Sequence, residues 1–264
     1  STLSSSSAAS DVYKRQPMKR NVIIGVLVVM IMLIMLAPAN LLRMVFAQVP
    51  GVALVKPQGT VWQGSGVIIA HPGLSANVTW QVKWQLGESL IPTIHWQLNN
   101  SELSLQGKLT TGRSVQRVNI EGRFSGLALE PVLARYDISL PGTFQVSPTE
   151  LLITTSGPTT EFELDNDSQL DWSGGNIRYV LSNGLEQAYV PALTATLKSA
   201  QGSLPTVFIE LAENSTGPLL TLTPNREGYV NIEITRGFIE LMGRTWTGPA
   251  KYNDVVLEVK RKVF

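Results

Sequence analysis

The residue types able to do chemistry are few here, and their spacing suits none of the common reactions. His71 and His95 are the only imidazoles in 264 residues, and cysteine is absent. His95 lies in Ile94-His95-Trp96-Gln97, a strand-like alternation, and His71 precedes Pro72 in a turn. A zinc site needs three or four His, Cys or carboxylate ligands at close spacing, and neither histidine has a second ligand near it. Without cysteine there is no thiol nucleophile, thiolate metal site or disulfide framework. Glu161, Glu163, Asp165, Asp167 and Asp171 form an acidic stretch. A calcium loop gathers its oxygens around a glycine-enabled sharp turn. Here Glu161, Glu163 and Asp165 alternate along one strand face with no glycine between them, which predicts a solvated face instead. Gly174-Gly175 lacks the strand-turn-helix context of a phosphate loop, and no nucleophile elbow or dinucleotide fingerprint occurs. No catalytic, cofactor-binding or metal-binding residue is expected, and a structural, assembly or carrier role is.

The motif that does recur is Trp-x-Gly. Thr60-Val61-Trp62-Gln63-Gly64-Ser65-Gly66-Val67 echoes Leu170-Asp171-Trp172-Ser173-Gly174-Gly175-Asn176-Ile177, and Trp246-Thr247-Gly248 follows near the C-terminal end. Glycine lets the backbone bend or approach closely beside a large indole, as at a bulge or strand corner. Trp62, Gly64, Trp172, Gly174, Trp246 and Gly248 therefore read as a structural packing motif; a ligand-stacking tryptophan is the competing reading. The echo also points to two similar halves, about 50–157 and 158–264.

Those residues must be positioned by strands. Leu103 and Leu105 alternate with Ser104 and Gln106; Val118, Ile120 and Phe124 with Asn119, Glu121 and Arg123; Phe162 and Leu164 with acidic residues. Phe144 and Val146 follow the turn Pro141-Gly142, and 229–234 and 255–260 repeat the pattern. A period of two gives each strand one apolar and one polar face. Antiparallel sheets tolerate one wet face, so a mainly β, antiparallel domain is expected over 43–264. The exception is 127–135, which predicts a short helix with Pro131 in its first turn.

Ahead of the strands, Met18-Lys19-Arg20 leads into an uncharged apolar run over 22–42. About 20 apolar helical residues cross a bilayer core of about 30 Å, so a single transmembrane anchor is expected there. Two cations before the run, and only Arg43 close after it, set 18–21 as a cytoplasmic tail and the rest as exported. A cleavable signal peptide is the competing reading, with Ala37-Pro38-Ala39 or Val45-Phe46-Ala47 as the small-residue site. Residues 1–17 are serine-rich and resemble a non-native or disordered leader, outside fold reasoning. With 21 Lys and Arg against 20 Asp and Glu, the chain has no basic surplus of the kind nucleic-acid binding uses.

The order of these features resembles type II secretion system protein N. Leu41-Leu42-Arg43 through Val49-Pro50-Gly51-Val52, then Gly59-Thr60-Val61-Trp62-Gln63-Gly64, carry the best local match. Trp172-Ser173-Gly174-Gly175 is similar to a second landmark, and 236–241 with Trp246 to the family's C-terminal end. The resemblance implies a non-enzymatic accessory component in the inner membrane of a Gram-negative bacterium, with a periplasmic C-terminal domain. It would support export of folded proteins beside other secretion-system subunits. It also implies kinship with AsmA-like proteins, whose β-sheets are elongated and curved with an apolar inner face. The alternative function is periplasmic lipid handling or transfer, which expects a sheet face lined continuously by Leu, Ile, Val and Phe. An exported enzyme is the third and weakest reading. No cofactor is implied.

Overall fold

In the computed structural model, residues 9–70, 73–85, 91–112, 115–156, 159–164, 167–181, 184–199, 204–213, 216–225 and 227–262 are described. His71 and Asp165 lie outside them. The chain opens with α1 (Ala9–Met35), a 3₁₀ turn (Ala39–Leu41) and α2 (Leu42–Phe46). Six strands follow: β1 (Val52–Gly59), β2 (Gln63–Ala70), β3 (Leu74–Gln85), β4 (Ile91–Asn99), β5 (Leu103–Thr111) and β6 (Val115–Ser125). The expected short helix is present as α3 (Glu130–Leu133), with Pro131 in its first turn and 3₁₀ turns on either side. Then come β7 (Thr143–Ser156), β8 (Thr159–Leu164), β9 (Ser168–Trp172), β10 (Gly175–Leu181), β11 (Gly184–Val190), β12 (Leu193–Lys198) and β13 (Thr206–Leu211). β14 (Leu220–Pro224), β15 (Tyr229–Thr235), α4 (Arg236–Leu241) and β16 (Val255–Lys262) complete the described elements.

Fourteen of the strands make one antiparallel sheet. Neighbours follow chain order from β1 to β7, pass to β9, and continue from β12 to β16; β8 pairs with β7. β10 and β11 leave the sheet as a separate hairpin. Hairpin-linked neighbours are what short turns between amphipathic strands permit, because an antiparallel partner needs no crossover. The expected boundary between halves, at 157/158, falls between β7 and β8, which pair with each other. The path of the sheet runs on past it through β7 and β9.

Residues directly opposite one another across strands share a face, and the register sorts them cleanly. One row reads Leu103–Phe124–Phe144–Trp172–Leu193–Leu211 from β5 to β13. Another reads Val207–Leu222–Ile232–Val259 to the far edge. On the reverse face a row reads Asn77–Asn99–Ser104–Arg123–Gln145–Asp171–Thr194–Glu210. Register is kept by alternation, since a one-residue slip would exchange the two faces. Between β6 and β7 it shifts at Ile120/Gly122, where Ser147 and Pro148 of β7 stand opposite the single Glu121 of β6, beside Gly122 at φ 139°.

Two buried centres sit on the apolar face. The first joins Ala39, Leu54, Val78 and Trp80, with Leu42 and Phe46 of α2 laid against them. The second joins Phe144, Trp172, Ala188 and Val190, covered by Ile177 and Tyr179 of the β10–β11 hairpin and by Leu241 of α4.

The apolar run over 22–42 is not one helix. α1 stops at Met35, and Pro38, at φ −70° and ψ 146°, is extended and caps the next turn. Proline lacks an amide hydrogen and drives the residue before it out of the helical region. Residues 39–46 fold back on the sheet, with Ala39 buried. Residues 22–35 rise only about 21 Å. Among the described residues, no helix is long and apolar enough to cross a membrane.

Candidate functional site

The three Trp-x-Gly motifs fall at three different jobs. Trp62 sits in the β1–β2 turn, half-buried, and its indole N–H donates to the carbonyl of Ile34 at 2.8 Å. Its backbone carbonyl accepts from Val82 at 2.7 Å, which prolongs the pairing of that turn with β3. Trp172 is a core residue, 6% exposed, stacked on Phe144 at 6.0 Å between centroids, and its indole N–H donates to Pro141 at 2.7 Å. Trp246 is 38% exposed, with Gly248 under its indole nitrogen. The glycines also differ. Gly64 makes room for Trp80, whereas Gly174, at φ 78°, is pressed against the backbone of Val190 and Pro191. The sequence echo thus corresponds to no common site: each motif serves its own neighbourhood.

Two tryptophans outside the motif carry more of the sheet. Trp80 and Trp96 are directly opposite on β3 and β4, and Trp80 donates to the carbonyl of Thr60 at 3.1 Å. Of the two, only Trp96 falls in a segment whose alternation the sequence analysis reads as a strand, and nothing in the sequence marks their register.

The polar face is a solvated network. His95 lies between Gln81 and Lys108 in one cross-strand row, which continues to Asn119 and Glu150. Asn119 donates to Glu150 at 2.9 Å, Arg117 pairs with Glu150, and Gln106 donates to Glu121 at 2.8 Å. Burial lowers the pKa of His95 below its ordinary 6.5, and the cations of Lys83 and Lys108 lower it further. Of the acidic stretch, Asp171 accepts from Thr194 at 2.7 Å and from Gln169 at 2.8 Å. Among the described residues, no group of three His, Cys, Asp or Glu is close enough to hold a metal ion.

The feature that could act on another molecule is the apolar face between the two buried centres. Leu105, Leu109, Val118, Ile120 and Leu151, on β5, β6 and β7, are half-buried and belong to neither cluster. The charges of these strands, Lys108, Arg117, Glu121, Arg123 and Glu150, all point to the reverse face by register. A surface of this kind has no group for acid–base or nucleophilic work, but it can take up apolar matter. Comparisons of the chain with protein-family models, with curated proteins and with solved structures return no match.

Proposed function

We propose that this chain is a non-enzymatic accessory component of the type II secretion system, held in the bacterial inner membrane by α1 with its sheet in the periplasm. One observation carries the reading. The residues that resemble the family, 41–52 and 59–64, lie at the joint between α1 and the sheet. Trp62 binds the carbonyl of Ile34, Val61 donates to Ala37 at 2.9 Å, and Thr60 bridges Pro38. A subunit that works from an anchor needs such a joint, because only a fixed helix end lets the membrane orient the sheet. Partner subunits would meet the sheet along its edges, where strands present backbone donors and acceptors. The test is deletion of the gene in its host, with secreted enzymes assayed in the medium beside outer-membrane integrity. Loss of secretion with an intact envelope supports the reading; normal secretion with a leaky envelope counts against it.

The second reading is AsmA-like lipid handling in the periplasm, and the half-buried apolar stretch on β5 to β7, outside both buried centres, favours it. Its test is the lipid content of the full-length protein purified from membranes in mild detergent and exchanged extensively. Acyl lipid retained in a fixed ratio to protein supports it, and retention no greater than that of an unrelated single-anchor protein rejects it.

A further inference from the structure

We infer that the end of the sheet bearing the β1–β2 turn sits in the lipid headgroup layer, with Trp62, Trp84 and Leu41 at its apolar level. This rests on the anchor reading above and adds a second membrane contact to it. The starting point is a length mismatch. Residues 22–36 of the first helix and its exit are apolar and 46–70% exposed on every side, apart from Gly25. A helix apolar all round is one buried by lipid or by protein, and no other described element covers it. Yet 22–35 supplies about 21 Å of apolar length against a core of about 30 Å. A short helix is accommodated by thinning the bilayer or by flanking groups that reach the interface.

The flank beyond Met35 has those groups. Leu36 is 70% exposed and Leu41 49% exposed, on either side of the turn at Pro38. Trp62 is tied to the last turn of α1, and Trp84 lies beside it, ring centroids 5.8 Å apart. Trp84 is 52% exposed at the end of β3, an unusual setting for an indole in a sheet whose other apolar-face tryptophans are covered. Indoles concentrate at the membrane–water boundary because one part of the ring is apolar and the N–H is not. Exposed Arg43 and Lys83 flank Leu41 and Trp84, so cations meet the anionic phosphates at the same level. A lipid surface accounts for aromatic, aliphatic and cationic groups together, whereas a protein partner would need a matching surface for each.

The chain has no cysteine, so single-cysteine variants of the full-length protein can carry one fluorophore each. Val28→Cys reports the helix, Leu41→Cys and Trp84→Cys report the rim, and Gln106→Cys reports the middle of the polar face. In vesicles of phosphatidylethanolamine and phosphatidylglycerol, quenching is read from iodide in water and from a nitroxide on the lipid headgroup. The expected result is that Leu41 and Trp84 labels lose iodide quenching and gain headgroup quenching, while the Gln106 label does the reverse. Iodide access at Leu41 or Trp84 equal to that at Gln106, with Val28 still shielded, overturns the rim contact and leaves the anchor standing. Iodide access at Val28 as well removes the anchor, and the rim contact with it.

Discussion

Trp80 and Trp96 face each other across β3 and β4, and each indole covers a glycine on its outer neighbour. A β-carbon on Gly64 would lie 2.5 Å from Cζ2 of Trp80, and one on Gly107 would lie 2.5 Å from Cζ2 of Trp96. Gly64, Trp80, Trp96 and Gly107 form one cross-strand row over β2 to β5. Each ring can take its place only because the glycine it overlies has no side chain. Glycine weakens a strand by itself, and here the aromatic cover offsets that weakness.

Gly64→Ala and Gly107→Ala should therefore each destabilise the sheet although alanine is the better strand residue. The new methyl meets backbone as well as ring: the carbonyl of Gln58 in one case and of Asn119 in the other. Overpacking of this kind costs about 1–3 kcal/mol. Urea unfolding followed by tryptophan fluorescence would measure it. A midpoint unchanged from wild type in both variants would mean that the rings do not rest on the glycines.

The second and third Trp-x-Gly motifs should respond differently to truncation. Trp172 is buried among Phe144 and its neighbours, so Trp172→Ala should cost about 3–5 kcal/mol. Trp246 is 38% exposed and lies outside both buried centres, so Trp246→Ala should cost clearly less, about 1–2 kcal/mol. Thermal unfolding of the two variants side by side separates them. Equal losses would contradict the burial difference.

This contrast also marks how far the sequence could be read. Alternation at Leu103–Leu105, Val118–Ile120, Phe144–Val146 and 229–234 located strands and their faces, because period two is a local property. Pro131 located a helix start for the same reason. Trp62, Trp172 and Trp246 look alike in sequence because the motif records only that glycine follows an indole. What the indole packs on is set by cross-strand register, which depends on residues 20 or more positions away, such as Thr60 under Trp80. The end of α1 was a local matter misjudged by composition: Pro38 outweighs the apolar residues on both sides of it. The departure of β10 and β11 from the sheet had no signal, since their alternation is as regular as that of their neighbours.

His95 should give stability a small dependence on pH. Its folded pKa is lowered by burial and then by Lys83 and Lys108, so the unfolded chain binds a proton more readily. Its contribution is whole above the ordinary value of 6.5 and is lost as pH falls through the lowered folded value. The urea midpoint should fall modestly between about pH 7 and about pH 5, and His95→Gln should remove part of that fall. An identical slope in the variant would assign the dependence to other groups.

The apolar face makes the sharpest separation between packing and function. Leu54 is in the first buried centre under α2, whereas Leu109 and Ile120 are half-buried and belong to neither centre. Placing a carboxylate at Leu54 takes a charge out of water without a partner, a change among the most destabilising known for single residues. At Leu109 or Ile120 the same carboxylate can reach water, so Leu109→Asp and Ile120→Asp should fold and lose about 1–2 kcal/mol from forfeited apolar contact. If the stretch is a binding surface, both variants should bind an apolar fluorescent probe more weakly than wild type while keeping the wild-type circular dichroism spectrum. Unfolding of Leu109→Asp to the extent of Leu54→Asp would mean that this part of the sheet is closed by packing, and the case for a ligand-bearing face would fail there.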